Sequence, residues 1–228
     1  AEYNFFFTHD MLLTDLAASA FDPVRVHRDL SYITGLAKDS VIPHAYYWRD
    51  DGFKTEYCGP DNWNHLWFIL ASGSYLRHTG DTVLGQRLYP LLLKSVSESL
   101  RRLKHDRLMY AFAPDWWDIG KNDGPRAYMT ILVIRALREF TFISAFLHKP
   151  RSEFERCDDV ALTMSRSLRS RLWDDQTGYL NFWFGSQFVP TDSDYALGYL
   201  DFGRRLSWNY VGRTWFSSGS PGNGYLRV

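Results

Sequence analysis

Residues 115–118 read Asp-Trp-Trp-Asp, shortly ahead of a long apolar run that begins near Ala127. A carboxyl flanked in sequence by aromatic residues is poorly solvated, and desolvation raises its pKa. A raised pKa suits a general acid that must hold its proton near neutral pH. Asp118 lies between Trp117 and Ile119, too early to cap the coming helix, so the acid role falls on it first. Asp115 is the second candidate. Trp116 and Trp117 offer flat apolar faces of the kind that cover the CH surface of a sugar ring. Arg126, at the helix start, is an anchor for the loop or for a bound ligand. Two other stretches repeat the mixture of polar and aromatic residues: Thr8-His9-Asp10, and 56–63 with Tyr57, Asp61, Asn62 and Trp63. Tyr47 and Trp48 extend the second stretch. Asp10 and Asp61 are equally readable as ordinary N-caps that satisfy free backbone N–H groups.

Each of these stretches precedes a helical pattern. Six helical segments can be read: Met11 to Phe21, Val24 to Ala37, Asn62 to Tyr75, Thr82 to Leu103, Ala127 to Leu147 and Glu153 to Leu172. They alternate in character. The first, third and fifth are apolar on nearly every face, and the others carry one apolar stripe. A helix apolar all round must be buried, whereas a striped one lies outside. Hairpins that alternate inner and outer helices form an (α/α) toroid. All inner helices then point the same way, so the three polar-aromatic stretches are expected to meet at one mouth. Pro90 is expected to bend the fourth helix or to mark where its regular part begins. Gly178 to Phe184 reads as a short β-hairpin arm. The fold class is therefore all-α, with 1–228 forming one (α/α)-barrel domain of catalytic type.

Only three hairpins are readable, with a further inner segment suggested near Tyr195 to Phe202. An open toroid leaves apolar flanks in water at roughly 25 cal/mol per Å². The reading therefore expects another chain, or a missing segment on the C-terminal side, to complete the barrel, unless the remaining residues close it irregularly. The Gly-, Ser- and Arg-rich stretch from Gly203 onward looks like a connector.

Composition narrows the function. Lys+Arg and Asp+Glu are both 26, so the formal charge is zero and nothing draws nucleic acid or an anionic membrane from a distance. Aromatic residues make up 17% of the chain, many of them beside Asp, Asn, His or Gly, which fits a carbohydrate ligand. Cys58 and Cys157 lie far apart and read as buried thiols rather than a disulfide framework. His44, His65, His78 and His105 lack metal-ligand spacing, so no metal or other cofactor is expected. His65 reads as a satisfied core histidine. Asp50-Asp51-Gly52 and Asp174 to Gly178 read as turns. No Walker-type phosphate loop and no nucleophile elbow is present. The sequence marks no compartment.

The string from Pro114 to Leu137, PDWWDIG followed by GPRAYMTILVIRAL, resembles the catalytic-acid region of glycoside hydrolases and phosphorylases with (α/α)6 barrels. The debranching-enzyme and processing-glucosidase groups carry a similar W-x-D before a helix that starts with Pro-Arg. The cellobiose-phosphorylase group carries a similar D-W-N-D. The run from Phe5 to Ile33 resembles the first hairpin of these enzymes, and Val41 to Ser95 their next section. In that likeness Asp61 corresponds to a substrate-binding aspartate. The resemblance spans roughly Phe6 to Phe182 and implies a glycosidase acting by inversion. It makes Asp118 the acid, with His9, Asp10, Trp48, Tyr57, Asp61, Asn62, Trp63, Trp116, Trp117 and Arg126 around the substrate. His9 stands where these families usually have Arg. No Glu follows Glu155, so the expected base is not identified. A phosphorylase on the same fold, a polysaccharide lyase and a non-catalytic carbohydrate-binding subunit are the alternatives.

Overall fold

The computed structural model describes residues 5–57, 63–110, 120–121, 125–175, 179–181, 189–190 and 225–226. It contains six α-helices: α1 (Thr8–Ala18), α2 (Pro23–Leu36), α3 (Asn64–Thr79), α4 (Thr82–Arg101), α5 (Ala127–Phe146) and α6 (Glu155–Leu172). The helical reading of the sequence thus stands, with boundaries displaced by a few residues. The short strands are β1 (Phe5–Phe7), β2 (Ala45–Arg49), β3 (Gly52–Glu56), β4 (Gly120–Lys121), β5 (Trp173–Asp174), β6 (Tyr179–Asn181), β7 (Val189–Pro190) and β8 (Tyr225–Leu226). The chain divides into two compact units, Ala1–Arg101 with Arg135–Ala161, and Arg102–Ile134 with Leu162–Val228.

In the first unit α3 is the central helix and packs against α1, α2 and α4. Leu66, Phe68, Ile69, Leu70, Ala71, Tyr75 and Leu76 are all buried, so α3 is covered on nearly every side. Gly80 ends it in the left-handed conformation (φ 67°), with its N–H on the Leu76 carbonyl. Asp81 then starts α4. Its carboxylate accepts from the Leu84 N–H at 3.0 Å and from the Tyr75 hydroxyl at 2.9 Å. Those bonds, the backbone one foremost, hold the Asp81 carboxyl below its ordinary pKa. Thr-Gly-Asp is therefore a stop and a start in three residues. Asp22 does the same for α2, accepting from the Arg25 N–H at 3.2 Å with Pro23 in the first turn.

One close approach fixes how α3 meets its neighbour. Any Cβ at Gly73 would lie 2.0 Å from the Glu139 carboxylate oxygen. The bare backbone lets Glu139 reach Arg77, whose Nε and Nη2 donate to it at 3.1 and 3.0 Å. The same guanidinium lies 3.6 Å over the Phe142 ring.

Two expectations about helices need correction. The sequence places α1 among the wholly buried helices, but the structure gives it one buried stripe: Thr8, His9, Leu12, Asp15 and Ala18. Leu13 on the other side is 41% exposed. Small alanines make α1 read as apolar without requiring burial. Pro90 does not mark the start of the regular helix: it lies inside α4, one helix from Thr82 to Arg101. Pro90 is exposed, where the helix tolerates the missing N–H more easily.

The sequence reading missed a three-stranded antiparallel sheet in order β1-β2-β3. Arg49 pairs with Gly52, so Asp50-Asp51 form a two-residue hairpin loop, as expected of a turn. Register puts Phe6, Tyr46 and Thr55 in one row and Trp48 beside Phe53 in the next. Phe6 stacks on Tyr46 at 5.2 Å, and Tyr32 of α2 meets the Tyr46 ring edge-on at 5.3 Å.

In the second unit, Leu108, Ala127, Leu172 and Leu180 form a small core, with Tyr110, Ile131, Leu168 and Trp173 against it. β5, β6 and β8 make one small sheet, so the expected hairpin arm near 178–184 is present as β6, paired with β5 through Asp174 and Tyr179. β4 pairs with β7 antiparallel, Gly120 opposite Pro190 and Lys121 opposite Val189.

Candidate functional site

The site residues of the first unit gather around the start of α1. β1 pairs with β2, and the Thr8 N–H donates to the His44 carbonyl at 2.9 Å, which fixes where α1 begins. His9 is then carried inward in the first turn of α1 and is 5% exposed. Its ring stacks on Trp63 at 5.0 Å and meets Trp67 at 5.3 Å. Burial is the main force holding the His9 pKa below 6.5, against the opposing pull of the neighbouring Asp10 carboxylate. A buried neutral imidazole in an aromatic wall can share a hydrogen bond with a hydroxyl without bringing a charge.

The structure brings His9 and Trp63 together; the third polar-aromatic stretch, Asp115 to Asp118, lies outside the described residues. Trp63 itself stands at the N-cap position of α3, and Asn64 behind it is fully buried. Asp10 is exposed in the first turn of α1, whose N-cap is Phe7, so the capping alternative for Asp10 does not hold. Its carboxylate still favours the helix N-terminus electrostatically. Trp48 is 68% exposed and meets Phe53 edge-on at 5.6 Å on the β-sheet. The Tyr57 hydroxyl donates to the Leu36 carbonyl at the end of α2. Trp48 and Tyr57 thus have sheet and helix-end partners of their own.

His65 is the core histidine that the sequence suggests. The Ile42 N–H lies 3.4 Å from Nε2, and Nδ1 lies 2.7 Å from the Ser95 hydroxyl. An amide N–H can only donate, so Nε2 accepts and Nδ1 carries the proton.

Arg126 belongs to the second unit and is 1% exposed, the largest of the fully buried side chains among the described residues. Its N–H donates to the Met109 carbonyl at 2.8 Å, and its own carbonyl accepts from the Thr130 hydroxyl at 2.8 Å. Thr130 also takes the Met109 N–H at 3.0 Å. These bonds lock the first turn of α5 to the strand-like segment at Leu108 to Tyr110. A guanidinium buried this deeply demands partners that satisfy its charge and its N–H groups.

Asp115, Trp116, Trp117 and Asp118 lie outside the described residues, as do Asp61, Asn62, Cys58 and the segment from Tyr195 to Phe202. Of the later carboxylates, Asp158 and Asp159 are exposed at the start of α6, and Asp175 accepts from the Trp173 indole N–H at 2.8 Å. Burial pushes the Cys157 thiol up to about 11, so it is an inert core group. Among the described residues no group of three or more His, Cys, Asp or Glu side chains could hold a metal ion. No helix among them is long and apolar enough to cross a membrane.

The sequence reading missed Asp15. It is fully buried on the inner stripe of α1 and pairs with Arg25 of α2 at 2.8 Å. Burial is the first cause that pushes its pKa up to about 6, Arg25 opposing. The signal was available: a carboxylate falls on the same face as Thr8 and Leu12.

No protein family and no curated relative matches the sequence at a significant level. Solved structures do match. A GH78 family rhamnosidase of Bacillus sp. GL1 superposes with a TM-score of 0.63 at 16% identity, over 96% of this chain and 23% of its own. A rhamnosidase from Klebsiella oxytoca with rhamnose bound gives 0.61 at 16% identity, over 78% of this chain and 35% of that one. A variant unsaturated glucuronyl hydrolase with dGlcA-Glc-Rha-Glc gives 0.55 at 14% identity, over 79% and 51%. The fold is that of the (α/α)6-type glycosidases. The chain spans between about a quarter and a half of the length of these neighbours. Their identities to it are low, and the likeness is one of fold.

Proposed function

We propose that this chain forms part of a glycoside hydrolase barrel and cleaves a glycosidic bond by inversion, with Asp118 as the general acid. Residues 1–228 are taken as a portion of one such barrel, completed by another chain or by a further segment. The reading is supported by the glycosidase fold of the neighbours and by the sequence Trp116-Trp117-Asp118 ahead of α5. Asp118 gives its proton to the leaving oxygen as the bond to the anomeric carbon breaks. Trp116 and Trp117 cover the sugar face, and the buried Arg126 anchors the loop that bears the acid. His9 and Trp63 line the glycone side, with Asp10, Asp61 and Asn62 as hydrogen-bonding groups and Trp48 and Tyr57 further out.

The observation that carries the reading is the likeness in fold to glycosidase structures, taken with Trp116-Trp117-Asp118 ahead of α5. No residue of this chain is assigned as the base that activates water. Inversion needs acid and base about 6.5–9.5 Å apart, with water between them.

The test is turnover of aryl rhamnosides and of unsaturated glucuronyl oligosaccharides, the substrate classes of the fold neighbours. Asp118→Asn is expected to lower kcat by about 10²–10⁴-fold. NMR of the first-formed anomer reads inversion directly. Undiminished turnover by Asp118→Asn rejects the acid assignment. A second reading, a carbohydrate-binding subunit without turnover, is favoured by the lack of any Glu after Glu155. Glycan binding with no hydrolysis by the wild-type chain would select it.

A further inference from the structure

The C-terminal half of α6 carries a cleft that the catalytic reading does not use. Its volume is about 320 Å³, within the range of small-molecule sites. Ser165, Arg166, Leu168, Arg169, Trp173 and Leu180 line it. All belong to the second unit. Leu168 and Trp173 also pack against the core formed by Leu108, Ala127, Leu172 and Leu180, so the floor of the cleft is held from beneath. The Trp173 ring is further fixed by the bond from its indole N–H to Asp175.

Among the described residues that line the cleft, the charged ones are both arginines. Arg166 and Arg169 are exposed and three residues apart on one helix face, and like charges at that spacing repel. Neither makes an ion pair among the described residues. The nearby carboxylates have other partners: Asp175 takes the Trp173 indole, and Asp106 takes the Tyr110 hydroxyl and the Leu108 N–H. Arg171, at 4.0 Å, is the arginine that faces Asp106. Arg169 and Arg171 complement the helix C-terminus electrostatically, but Arg166 sits too early for that effect to explain it.

We propose that this cleft binds a carboxylate-bearing sugar, a uronate residue. The two guanidinium groups take the carboxylate, the Ser165 hydroxyl meets a ring hydroxyl, and the Trp173 indole lies along the sugar. Guanidinium forks match carboxylate geometry and give short, charge-assisted bonds. The anionic half of this proposal rests on the arginines. The sugar half rests on the glycosidase reading above.

The test is a calorimetric titration of the whole chain with three probes: a glucuronate-terminated disaccharide, its glucose-terminated counterpart and inorganic phosphate. It is run on the wild type, on Arg166→Gln/Arg169→Gln, and on Asp118→Asn to separate binding from turnover. The expected result is binding of the uronate at least about tenfold tighter than of the neutral sugar. That preference is lost in the double variant with no change in Tm, and retained in Asp118→Asn. Equal affinity for the two sugars, or full affinity in the double variant, overturns the proposal. Phosphate binding as tight as the uronate shows a generic anion site and also overturns it. Failure of hydrolysis alone leaves the binding result standing. A Trp173→Phe variant gives an independent reading, because it removes the indole while keeping both arginines.

Discussion

The two ends of α1 bury a titratable group each and solve the problem differently. At the N-terminal end, His9 is surrounded by Trp63 and Trp67 and is kept neutral by burial. At the C-terminal end, Asp15 is buried against Arg25, with its pKa raised to about 6. The first environment is apolar and stacked, a surface on which a sugar could rest. The second is a closed ionic contact between α1 and α2. Burial alone therefore does not mark a site; the chemistry of the cover does.

Removing the cover should produce the largest effect. Trp63→Ala deletes a ring that is 9% exposed and is expected to cost about 3–5 kcal/mol in chemical denaturation. It should also return the His9 pKa toward 6.5, read by NMR titration. An unmoved His9 pKa would mean that the stack does not set it.

The Asp15 end should give the larger pH dependence. Its folded pKa lies above the ordinary 3.8, so the folded protein binds the proton more tightly. Stability from this group is full below about pH 4 and is lost as pH rises through about 6, on the order of 2–3 kcal/mol. Asp15→Asn should flatten that part of the stability profile between pH 4 and 7. Asp22, Arg25 and Asp29 of α2 and Tyr46 of β2 share this environment, and Tyr46 is itself pushed up to about 12. A profile unchanged by the substitution would remove Asp15 as its source.

His9 works in the opposite sense. Its folded pKa is depressed, so its contribution is present above pH 6.5 and falls as pH drops through that value. His9→Gln should lessen the acid destabilisation that sets in below pH 6.5, measured by thermal unfolding at each pH. The smallest effect is expected for Arg25→Met, which should raise the Asp15 pKa further above about 6 by removing the opposing cation. A fall in that pKa would show that Arg25 is not the opposing force.

The helices were legible because their patterns are local. Leu84, Leu88, Leu91, Leu92 and Val96 form a stripe that needs no partner to be recognised, and α4 appears where that stripe is. Asp22, Gly80 and Asp81 are punctuation of the same local kind. The β1-β2-β3 sheet was not legible, because Phe5 to Phe7 and Ala45 to Trp48 are nearly continuous aromatic runs without a two-residue alternation. The buried side of α1 was misjudged for a related reason. Alanine is apolar on any hydropathy count, yet leaving it in water costs little.

For the candidate site, the sequence singled out both His9 and Trp63 but could not say that their rings stack. It named Arg126 without indicating that the guanidinium is buried. It passed over Asp15, whose partner is ten residues away on the next helix.

By itself the amino-acid order determined the helical class, the helix stops and starts, and the polar-aromatic stretches at the starts of α1, α3 and α5. These depend on side chains within a turn or two of each other. Tertiary structure alone decided which groups hold His65, which tryptophan covers His9, and that Gly73 admits Glu139. Those outcomes depend on which surfaces exclude water from one another, and that is settled only when residues distant along the chain are packed together.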